Sequence, residues 1–140
     1  MDKKYYTPLE LIKIATQHAY CAEHLLNNDA EIEADVLEPF ISLMYFAFEL
    51  TLKAHLVHGF KTSNLHKNLL ELLEHSIELG LSNQEIQQLK QLSRAFAFRK
   101  GVDYELWDDR QHQHVFCVEI MDLYERLQQQ LPIELHEDYL

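Results

Sequence analysis

Glycine and proline are scarce, with three of each in 140 residues. So few breakers suit long helices joined by short turns. Three scattered glycines also exclude a glycine-rich phosphate loop. There are two cysteines, Cys21 and Cys117. They are far apart, so neither a Cys-x-x-Cys redox motif nor a zinc-ligand spacing is present. Their expected state is a pair of buried thiols in a reducing compartment. Cations are outnumbered, 12 Lys and Arg against 23 Asp and Glu, for a formal net charge of −11. That balance works against non-specific binding to a phosphate backbone, which needs Lys and Arg to release counterions. The first ten residues, MDKKYYTPLE, lack the apolar region of a signal peptide. No uninterrupted run reaches the ~18 apolar residues of a membrane span. A cytoplasmic protein with no membrane partner is expected.

What is present fits one folded domain over residues 1–140. Hydrophobic residues make up 47% and charged residues 25%, ordinary values for a globular chain. The organising stretch is Phe40 to His58, FISLMYFAFELTLKAHLVH. Its only formal charges are Glu49 and Lys53, and its apolar residues lie on all sides. A helix of that kind is buried by its neighbours, so it is expected at the centre of a bundle.

The remaining elements follow in order. Thr7-Pro8-Leu9-Glu10 is a helix start with a capping box and a proline at the first helical position. This helix is expected to reach about Asn27. One row of it is Leu11, Ile14, His18, Cys21 and Leu25, and a second is Ile12, Ala15, Ala19, Ala22 and Leu26. Together they predict a wide buried face. A break or bend is expected near Glu38, because the residue before Pro39 is biased away from helix. A third helix is expected over Leu65 to Leu79, capped by Ser63 or Asn64, with Leu69, Leu70, Leu73 and Ile77 inward. Gly80 ends it. Ser82-Asn83-Gln84-Glu85 is a second capping box, opening a helix with Ile86, Leu89, Leu92 and Phe96 inward. Asp108 or Asp109 is expected to cap the last helix, which runs to about Gln130. Phe116, Ile120, Leu123, Leu127 and Leu131 form its inward stripe. Residues 133–140 read as an acidic, loosely held tail. The predicted fold class is all-α, an up-and-down bundle of four long helices plus a short or irregular segment.

Nine histidines raise the question of a metal. A carboxylate-bridged di-iron bundle needs Glu-x-x-His on two helices, and that pattern does not occur. Asp109-x-x-His112 is a single near match, and His55 with His58 lacks a third ligand. No metal and no cofactor is therefore expected. Cys117 has apolar neighbours, which predicts an inert thiol. Glu49 and Lys53 stand four apart and can form an ion pair. In this apolar setting the pair would pay a desolvation cost, so a structural or interface role is assigned to it.

From the central helix onward, residues 31 to 130 resemble the HEPN family, small all-α domains named for higher eukaryotes and prokaryotes nucleotide-binding. The central helix carries Glu49-x-x-x-Lys53-Ala54-x-Leu56 and then Gly59, similar to the family's E-x-x-x-K-A-x-L followed by Gly. The next helix opens Leu65-His66-x-x-Leu69-x-x-Leu72. Arg99, Lys100 and Tyr104 sit where the family has an Arg-Tyr-containing loop, and the resemblance implies a binding role for them. Many HEPN proteins are metal-independent endoribonucleases with an R-x(4–6)-H motif near the start of the last helix. Here Arg110-Gln111-His112-Gln113-His114 leaves a gap of only three residues, a degenerate form. At about 100° per residue, Arg110 and His114 lie about 40° apart on one face, with Val118 and Met121 on the same flank. The resemblance implies a HEPN-like binding or interaction module, a homodimer, and a protein partner such as a nucleotidyltransferase-like antitoxin. Its alternative is a toxin-like ribonuclease. There Arg110 would steady the scissile phosphate, and His114 or His112 would move a proton from the RNA 2′-OH.

Overall fold

The computed structural model describes residues 7–26, 36–58, 68–74, 79–97 and 110–135, and for 110–112 the backbone only. Among them are five α-helices: α1 (Pro8–Leu25), α2 (Leu37–His58), α3 (Leu69–Glu74), α4 (Asn83–Ala97) and α5 (Arg110–Gln130). A 3-10 turn, Ile133–Leu135, follows. The described residues contain no strand, so the all-α class holds. The α2 helix packs against each of the other four, and its contact with α1 is the most extensive.

Both predicted capping boxes form. Thr7 Oγ1 accepts from the Glu10 N–H at 3.1 Å, and the Thr7 N–H donates to Glu10 Oε1 at 3.0 Å. Ser82 and Glu85 do the same at 3.1 and 2.8 Å. Each box satisfies two N–H groups that the first helical turn would otherwise leave without partners. Gly80 has φ +68°, the left-handed conformation that side chains resist. It places the turn ahead of α4 where the sequence predicts one.

The start of α2 differs from the expected break. The helix begins at Leu37 and runs straight through Pro39, with the Phe40 N–H donating to the Val36 carbonyl at 3.0 Å. Pro39 falls in the first turn, where no backbone N–H has an intrahelical acceptor, so its missing donor costs nothing. In α3, Asn68 Oδ1 accepts from the Glu71 N–H at 3.0 Å and caps a helix that starts later than predicted. Ser63, Asn64, His66 and Ile77 lie outside the described residues. Leu72, not Leu70, joins Leu69 in the core, and Leu70 is exposed.

Burial on α1 is narrower than the two predicted rows. Leu11, Ile12, Ala15, Ala19 and Ala22 are buried, Ile14, His18 and Leu25 are half-buried, and Cys21 is exposed. The alanines face α2, whose own Ala47 and Ala54 are fully buried. Small side chains at a helix contact let the backbones approach closely. The expectation of two buried thiols therefore fails for Cys21.

On α5 the predicted stripe of Phe116, Ile120, Leu123, Leu127 and Leu131 is buried throughout. Cys117, Met121 and Tyr124 widen it. The first part of the supposed tail is packed: Leu135 is buried and its turn rests on α1. A chain of hydrogen bonds crosses this interior. Thr51 Oγ1 and Tyr124 Oη are 3.0 Å apart, and Gln128 Nε2 donates to Tyr124 Oη at 3.4 Å and to Thr16 Oγ1 at 3.2 Å. It ties α2, α5 and α1 together and gives the buried Thr51 hydroxyl the partner it needs.

By length and composition α2 is apolar enough to cross a membrane, but 61% of that stretch is buried inside the protein. A core helix has the same composition. Its burial is nevertheless one-sided. Phe46 is 40% exposed, and Ser42, Leu43, Glu49, Leu50, Lys53 and Val57 are half-buried on the same side. Apolar residues all round do not, in this fold, mean neighbours all round.

Candidate functional site

The outer side of α2 holds the first predicted site. Lys53 Nζ donates to Glu49 Oε1 at 3.0 Å, and the two side chains are 13% and 15% exposed. This is a mostly desolvated pair, as the surroundings in the sequence imply. Helical spacing puts Tyr45 one turn before Glu49 on the same face. Burial pushes the Tyr45 phenol above its ordinary value, and the Glu49 carboxylate beside it adds to the effect. Tyr45 Oη accepts from the Leu69 N–H at 3.4 Å, linking α2 to the first turn of α3. Its ring stacks on Phe96 of α4, centroids 4.0 Å apart and planes 3° from parallel. Phe46 meets Phe96 edge-on at 5.3 Å and His18 at 6.2 Å. His18 Nδ1–H donates to the Ile14 carbonyl at 2.8 Å.

The second predicted site is the start of α5. Arg110 is the first residue of the helix, so Arg110, His112 and His114 all lie in its opening turns. The side chains of Arg110 and His112 lie outside the described residues. His114 is half-buried, and its Nδ1 is shut from solvent with no hydrogen-bond partner among the described residues. An imidazole used to move protons is normally oriented through its second nitrogen, and no described residue does that for His114. The predicted flank divides. Val118 is exposed, as is Val115 beside it, whereas Met121 is only 8% exposed and belongs to the core. Met121 lies about 60° round the helix from Val118, toward the buried stripe, and that is enough for the difference.

Arg99, Lys100 and Tyr104 lie outside the described residues, as do Asp108, Asp109 and Gly59.

Between α4 and α5 lies an open polar groove of about 270 Å³ lined by Glu85, Gln88, Glu119, Asp122 and Arg126, among others. Arg126 donates through Nε and Nη2 to both oxygens of Glu85, and Gln88 Nε2 donates to Glu119 at 3.0 Å. The Arg126 guanidinium, with the Ser82 N–H and hydroxyl behind it, holds the Glu85 carboxyl down to about 2. The sequence reading found Glu85 as a capping residue and missed Arg126. The signal was there, since Arg126 is the only Lys or Arg in α5 after Arg110, but its partner is on another helix.

Cys117 is fully buried, and desolvation pushes its thiol up to about 12. A thiol so disfavoured as thiolate is neither nucleophile nor metal ligand. Among the described residues no group of three His, Cys, Asp or Glu could hold a metal ion.

No family model matches the chain, and comparison with curated proteins and with solved structures gives no match. The HEPN resemblance rests on the sequence motifs alone.

Proposed function

We propose that this chain is a HEPN-like up-and-down helical bundle that works in the cytoplasm as a binding module. In this reading it is a homodimer engaging a protein partner, for which a nucleotidyltransferase-like antitoxin is the family precedent. The observation that carries the reading is the outer face of α5. It presents exposed Val115 and Val118 beside Glu119 and Asp122, while Arg126, the one Lys or Arg among the described side chains of that helix, is engaged by Glu85. Apolar and acidic side chains suit a protein surface. A phosphate backbone needs cations free to displace counterions. A two-fold pair is the commonest closed assembly, and Val118 is the residue to place in it.

The runner-up is the metal-independent ribonuclease using Arg110 with His114 or His112. Its support is the position of these residues in the opening turns of α5. One experiment separates the two. Purified protein is incubated with a mixed RNA ladder in EDTA, and its mass is measured by light scattering. The binding-module reading expects intact RNA and twice the 16.6 kDa chain mass, with Val118→Arg moving the mass toward monomer. EDTA-resistant cleavage lost in both His114→Ala and Arg110→Lys would replace it with the nuclease, because proton transfer by a placed side chain is worth about 10²–10⁴ in rate and a lysine does not reproduce the guanidinium fork. A monomeric wild type would remove the dimer.

A further inference from the structure

We draw no further inference here: the strongest candidate, the half-open apolar strip of Leu43, Phe46 and Leu50 on α2 with Phe96 of α4 at its edge, is a helix face for which nothing in the structure shows what covers it.

Discussion

Both sides of α2 carry large apolar residues, and their surroundings differ. On the inner side Met44, Ala47, Phe48, Thr51 and Leu52 are fully buried. Phe48 meets the Tyr124 ring edge-on at 5.2 Å, and the buried Thr51 hydroxyl is bonded. On the outer side Phe46 is exposed and Leu43 and Leu50 are half-buried. The Glu49–Lys53 pair sits there too, with 15% and 13% of the two side chains exposed. A charge pair tolerates such a margin better than a dry interior, because desolvation can exceed the Coulombic gain. Stability is therefore concentrated on one side of the helix.

The sharpest way to break this comparison is Phe48→Ala. Loss of a large, fully buried ring should cost about 3–5 kcal/mol, read as a lower urea midpoint with an unchanged slope. A loss below that of the outer-side changes would show that the inner side is not the core. Next comes the ion pair. Lys53→Met alone should cost about 1–3 kcal/mol, since it strands a mostly buried carboxylate. The double change Glu49→Gln, Lys53→Met should cost less than the single one. Equal melting of both variants and wild type would mean that the pair is solvated. Phe46→Ala should come third, at about 1 kcal/mol, because a partly exposed ring has less apolar area to lose.

The smallest effect sharpens the contrast between apolar and ionic contacts. Glu85 has a folded-state pKa of about 2, lowered from 4.5. A depressed carboxyl stabilises the fold above its unfolded pKa, and that stability is lost as pH falls from about 4.5 to about 2. Arg126 is 41% exposed, so solvent screens the pair and the loss is modest. Unfolding midpoints measured across that window should fall less steeply in Glu85→Gln than in wild type. Parallel curves would mean that the Arg126 contact adds nothing to stability.

Much of the fold was legible in the residues. Capping boxes at Thr7–Glu10 and Ser82–Glu85, the turn at Gly80 and the stripe of α5 all depend on neighbours within one or two turns, and local chemistry sets them. The break expected near Glu38 gives way to a helix start at Leu37 for a local reason as well: a proline costs a helix only after its first turn. The candidate site was less legible. Glu49 and Lys53 could be paired from their spacing, yet Met121 and Val118, equally apolar, parted between core and surface. Cys21, at helical spacing with buried-looking neighbours, came out exposed.

By itself the sequence determined that the chain is helical, that Phe40 to His58 forms its middle, and that Glu49 meets Lys53. Each follows from periodicity, capping and i,i+4 geometry along a single helix. The tertiary structure alone decided which side of that middle helix is closed and that Arg126 reaches back to Glu85 on α4. It also set the run of hydrogen bonds from Thr51 through Tyr124 and Gln128 to Thr16. These depend on how one helix lies against another, and an apolar residue carries no mark of which neighbour will cover it.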